Sequence, residues 1–143
     1  MSSDDNHEVM QAVQGFYDAL AVIFKGETAA MEALWSHADD VTYMGPGGGY
    51  REGWGQVLED WKSQAVLKMG GEVVPENIRV SVGRDIAIAH NYEIGHVAGP
   101  SGEDETVSLR ATNLFRKEDG VWKMIGHHAD LLPPLVKAIK EEG

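Results

Sequence analysis

The stretch Glu105-Thr-Val-Ser-Leu-Arg-Ala-Thr-Asn-Leu-Phe-Arg-Lys-Glu-Asp-Gly-Val-Trp-Lys-Met-Ile-Gly-His-His-Ala-Asp130 decides the fold. Two runs of aliphatic, aromatic and β-branched residues flank Glu118-Asp119-Gly120, and Asp-Gly between such runs is a strong hairpin signal. Arg110, Thr112, Asn113, His127, His128 and Asp130 interrupt positions that read as core. Polar groups among core positions usually face a cavity or a partner, so the hairpin is also the best clue to function.

The two-residue period extends upstream. Ile78, Val80 and Val82 alternate before Gly83-Arg-Asp85, and Ile86, Ile88, His90, Tyr92, Ile94 and His96 share one face of a longer strand ending near Gly99-Pro-Ser-Gly102. The connections are too short for crossover helices, which predicts an antiparallel meander. The face of His90, Tyr92 and His96 is read as the sheet exterior against a second subunit, with the cavity lining as the alternative.

Before Gly71 the spacing is helical. Val9, Met10, Val13, Phe16, Tyr17, Leu20 and Phe24 recur at three- and four-residue steps, with Asp5 and Glu8 as a capping box and Gly26 as a stop. A short helix follows from Thr28 through Met31, Leu34 and Trp35. Val41 to Met44 reads as a strand cut off by Gly45-Pro-Gly-Gly-Gly49, and a third helix carries Trp54, Val57, Leu58, Trp61 and Ala65. Helices first and strands afterwards is the α+β pattern. Three helices cannot cover a four- or five-stranded sheet unless it curls, so the predicted fold is a curved antiparallel sheet, a cone, wrapped around three N-terminal helices and enclosing a pocket. Residues 1–143 form one domain on this reading, with a helical or frayed tail from about residue 134.

Composition narrows the partners. Twelve basic against 23 acidic residues give a formal charge of −11, which repels phosphate backbones and anionic lipid and argues against nucleic acid or membrane. No apolar run reaches the roughly 20 residues of a membrane span, and the N-terminus lacks a secretion signal, which predicts a cytoplasmic protein. The absence of cysteine excludes disulfides and thiolate chemistry. The six histidines show no helical His-x-x-x-His or Glu-x-x-His spacing, so no metal and no cofactor are expected.

The element order resembles that of the nuclear transport factor 2-like superfamily, which includes SnoaL-like proteins and ketosteroid isomerase. Phe16-Tyr17-Asp-Ala-Leu20 is similar to its first helix, Ala33-Leu-Trp-Ser-His-Ala-Asp-Asp-Val-Thr-Tyr43 to its second helix and first strand, and Gly53 with Trp61 to its third helix. Arg110-Ala-Thr112 with Asp119-Gly-Val-Trp-Lys-Met-Ile-Gly-His-His128 resembles the closing hairpin of SnoaL-like and calcium/calmodulin-dependent kinase II association domains. The resemblance implies the cone fold, and its members span isomerases, cyclases, dehydratases, hydrolases and binding or assembly modules, so fold does not choose the reaction. The isomerase's first-strand carboxylate corresponds to Gly45 in Tyr43-Met44-Gly45-Pro46, and its oxyanion pair to Tyr17 and Asn113, an amide in place of the acid. Steroid isomerisation by that route is not expected.

His128 and Asp130, two apart on a strand, share a face where the carboxylate can orient the imidazole for proton transfer. Arg110 and Thr112 also share a face, suited to a carboxylate or phosphate. In a regular strand Asn113 faces away from them. Tyr17, Tyr43, Tyr50, Trp54 and Trp61 are candidates for an aromatic ligand wall, or ordinary core. The expected function is binding of a small organic molecule, an acid among the candidates, with isomerase, lyase or hydrolase chemistry at His128 and Asp130. The alternative is a non-catalytic ligand-binding or dimerisation and association module, and on either reading a homodimer through the outer sheet face is expected.

Overall fold

A computed structural model describes residues 3–98 and 104–132. The expected Gly99–Gly102 turn and the tail after Pro133 lie outside the described residues. The elements are α1 (Ser3–Ile23), α2 (Ala29–Leu34), β1 (Thr42–Met44), β2 (Arg51–Glu52), α3 (Trp54–Leu67), β3 (Glu72–Val82), β4 (Ile86–Ala98), β5 (Asp104–Glu118) and β6 (Val121–Leu131).

One face of α1, carrying Val9, Val13, Phe16, Tyr17, Leu20 and Ile23, is buried. Asp5 lies inside the first turn rather than capping it, and its carboxylate takes Lys117 Nζ at 3.0 Å and the Trp122 indole N–H at 3.4 Å. Thr28 precedes α2 without a side-chain cap to its backbone; the hydroxyl donates to Glu32 Oε2 at 2.7 Å.

The strands form one six-stranded sheet in the order β2-β1-β6-β5-β4-β3. β3 to β6 make the expected antiparallel meander, closed at Asp119 and Gly120, whose φ values of 50° and 81° are those of a type I′ turn. Two features depart from expectation. The two-residue β2 brings the strand count to six, and β1 runs parallel to β6, with Tyr43 beside His127. Helix α1 touches both β3 and β6, which stand three strand spacings, about 14 Å, apart in the sheet. A helix about 10 Å wide reaches both only because the sheet curls around it. The fold is therefore the predicted α+β cone.

Two irregularities decide which side chains face inward. In β3 the register shifts between Glu76 and Arg79, where Asn77 adopts φ 56°. In β6 it shifts beside Leu114 and Phe115, which pair with Gly126 and Met124. Each extra residue turns the following side chains over. Among the described residues no helix is long and apolar enough to cross a membrane.

Candidate functional site

The inner face of the cone holds a buried polar cluster. Tyr17 reaches it from α1, Asn91 and Glu93 from β4, Asn113 from β5 and His127 from β6; all five are at most 7% exposed. Asn113 faces inward and Arg110 outward, as strand alternation requires.

The hydrogen bonds assign most of the protons. The Tyr17 hydroxyl donates to Glu93 Oε2 at 2.6 Å and accepts from Asn91 Nδ2 at 2.8 Å and Asn113 Nδ2 at 3.3 Å. Asn113 Nδ2 also donates to Asn91 Oδ1 at 3.0 Å, which leaves Asn113 Oδ1 to accept from His127 Nδ1 at 2.6 Å. His127 therefore carries its proton on Nδ1 and presents the Nε2 lone pair to Glu93 Oε2, 3.6 Å away. Two acceptors face one another there, beyond hydrogen-bond distance.

Electrostatics push the partners apart. Burial raises the Glu93 pKa, with the Tyr17 hydrogen bond opposing. Burial, with a contribution from adjacent His128, lowers the His127 imidazole to about 3. Burial, with Glu93 nearby, lifts the Tyr17 phenol far above its ordinary value, so it stays a neutral donor. Burial thus displaces a neighbouring carboxyl and imidazole in opposite directions.

Aromatic rings fix this geometry. The His127 ring lies 4.5 Å from Phe16 and 5.8 Å from Tyr43, nearly parallel to the latter. Tyr43 packs on Trp61 at 4.6 Å, accepts from Gln64 Nε2 at 3.0 Å, and is pushed up to about 12 by burial. The Trp61 indole N–H is buried without an acceptor among the described residues. Beyond the cluster the same sheet face continues as Leu109, Ala111 and Ala129.

The aromatic candidates divide. Tyr17, Tyr43 and Trp61 belong to this region, whereas half-buried Trp54 stacks on His37 at 4.4 Å. Tyr50, expected in the wall, is 58% exposed beside the glycine-rich turn, because that turn carries it away from the cone. A Cβ on Gly45 would stand 2.7 Å from the Tyr43 hydroxyl, so the position that holds the isomerase carboxylate has no room for a side chain here.

His128, Asp130, Arg110 and Thr112 lie on the outer face and line an open groove of about 740 Å³ rather than an enclosed chamber. His128 Nε2 and Asp130 Oδ1 do pair at 3.3 Å, both about half exposed. The β6 bulge is the reason: it sends His127 inward and His128 outward. Among the described residues no group of three His, Asp or Glu side chains is placed to hold a metal.

Residues 9–132 match the model of the SnoaL-like domain family. The chain belongs to that family. A candidate dehydratase of the NTF2-like family from Streptomyces avermitilis is 25% identical, with a TM-score of 0.81 over 92% of this SnoaL-like chain and 99% of the other. A candidate calcium/calmodulin-dependent protein kinase type II association domain from Thiobacillus denitrificans is 24% identical, with a TM-score of 0.73 over 85% and 93% of the two chains. An NTF2-like superfamily protein from Salmonella enterica serovar Typhimurium shares 14% identity at a TM-score of 0.77 over 93% and 94%. No curated protein matches the sequence. Sequence reasoning missed Asn91 and Glu93; the available signal was their alternation with Ala87, Ala89 and Gly95, the small residues a strand carries where bulky helix side chains press on it.

Proposed function

We propose that this SnoaL-like chain binds a small, partly apolar organic molecule against its inner sheet face and moves a proton on it, in the manner of a lyase that removes water. The observation that carries this reading is Glu93 Oε2 at 3.6 Å from the unprotonated His127 Nε2, with burial displacing the two groups in opposite directions. His127 Nε2 takes the proton beside a carbonyl and the Glu93 carboxyl returns one to the departing hydroxyl. The Tyr17 hydroxyl, which donates to Glu93 Oε2 in the free protein, turns its proton to the oxygen on which charge develops. Leu109, Ala111 and Ala129 offer an apolar wall for the rest of the molecule. The dehydratase description of the Streptomyces protein supports the same reaction class.

A second reading, a non-catalytic ligand-binding or association module, is favoured by the way the cluster satisfies its own hydrogen bonds. A panel of cyclic β-hydroxy ketones separates the two. Loss of water produces a conjugated enone visible by ultraviolet absorbance, and Glu93→Gln or His127→Gln should slow it about 10²-fold or more. Thermal stabilisation by panel members without enone formation, and without solvent deuterium entering beside the carbonyl, would leave the binding module.

A further inference from the structure

The inner sheet face has a polarity pattern that bears on what it can take in. Directly opposite Glu93 the apolar wall begins at Leu109 on β5, which in turn stands opposite Leu131 near the end of β6. Asn91, Ala111 and Ala129 form the neighbouring row across the same three strands. Among the described residues no lysine or arginine is buried, so the polar groups of this face are amides, a phenol, a carboxyl and an imidazole. The cations stand elsewhere. Arg51, whose charge reaches the Tyr43 hydroxyl, is held by Asp60 at 3.1 Å with its side chain 46% exposed. Arg110, the residue expected to recognise an acid, is exposed on the opposite face of the sheet.

Glu93 is an internal gauge of what these surroundings do to a carboxylate. It receives the Tyr17 hydroxyl at 2.6 Å, and burial still drives it toward its neutral form. His127 offers no relief, because the Nε2 turned toward Glu93 carries a lone pair rather than a proton. A second carboxylate or a phosphate set against this wall would lose its hydration beside Glu93 with no cation to receive it. The formal charge of −11 opposes its approach as well.

We infer that the inner site selects uncharged molecules and turns away their carboxylate- or phosphate-bearing counterparts. The ligand's polarity is then confined to neutral oxygens facing Tyr17, Glu93 and His127, with its apolar part on Leu109, Ala111 and Ala129. The inference rests on the inner face being the substrate site.

The primary amide and the free acid of one cyclic β-hydroxy ketone, alike in size and differing in charge at about pH 7.5, test the selection on the full chain. Titration calorimetry gives the affinity of the amide, and the acid is then titrated in competition with it. The amide is expected to bind and the acid to compete about a hundredfold more weakly. Leu131 is 49% exposed at the margin of the wall, so Leu131→Arg brings a cation there without burying it and should narrow the gap at least threefold at unchanged Tm. An acid that competes within tenfold of the amide, or a gap that Leu131→Arg leaves unchanged, overturns the selection while the inner-site reading stands. Binding of neither compound overturns the inner-site reading and the selection with it.

Discussion

Replacing Glu93 with glutamine should stabilise the protein, and the gain should grow with pH. The native Glu93 side chain is 4% exposed, accepts one hydrogen bond from Tyr17 at 2.6 Å, and faces a lone pair on His127 at 3.6 Å. Burial raises its pKa in the folded state. A carboxyl shifted upward contributes stability that is complete below its unfolded pKa and is lost as pH rises through the folded value. Glutamine keeps the shape, accepts the Tyr17 hydroxyl through Oε1 and offers an N–H to His127 Nε2, with no charge to bury. One net hydrogen bond is worth about 1 kcal/mol. Each pH unit of relieved ionisation adds about 1.4 kcal/mol. The variant should therefore exceed the native protein by about 1–3 kcal/mol near pH 8, roughly 3–8 °C in Tm for a chain of this size, and lose most of that lead near pH 4. Circular-dichroism melts across a pH series read this directly. A variant less stable than native at about pH 8, or a difference constant with pH, would refute the reasoning and make Glu93 an ordinary structural carboxylate.

Two further expectations concern other positions. The neutral His127 imidazole, lowered by burial from 6.5 to about 3, contributes stability that is present above 6.5 and lost as pH falls toward 3, so His127→Gln should flatten that acid limb in urea midpoints; an unchanged limb counts against it. Asn77 sits at φ 56°, where Asn77→Gly should be close to neutral and Asn77→Val should cost roughly 1–2 kcal/mol; equal Tm values for the two would show the bulge relaxes away.

The architecture was legible because α1 and the Asp119-Gly120 hairpin each carry a strong local pattern. The site was not, for reasons that can be located. A period of two carried forward from inward-facing Trp122 and Met124 points His128 and Asp130 inward as well; the bulge beside them reverses the parity and delivers His127 and Ala129 instead. On β4 the hydrophobic contrast is inverted. Its isoleucines Ile86, Ile88 and Ile94 face outward, while Ala87, Ala89, Asn91 and Glu93 face inward, the alanines joining the core and the polar pair meeting Tyr17. Tyr17 and Asn113, paired by family resemblance, do meet at 3.3 Å, but the acid beside them comes from a neighbouring strand.

Thr42–Met44 docks parallel to Gly126–His128, roughly eighty residues later in the chain. On a ribosome adding about 5–20 residues per second, the early strand waits roughly 4–16 s for the segment that will cover it. Throughout that interval Tyr43 lacks the imidazole face it finally lies nearly parallel to, and the nascent helices keep their greasy faces bare. A chain of this topology is thus exposed to sticking during synthesis more than after it, and a stop codon shortly before His127 should yield an insoluble product rather than a smaller working domain.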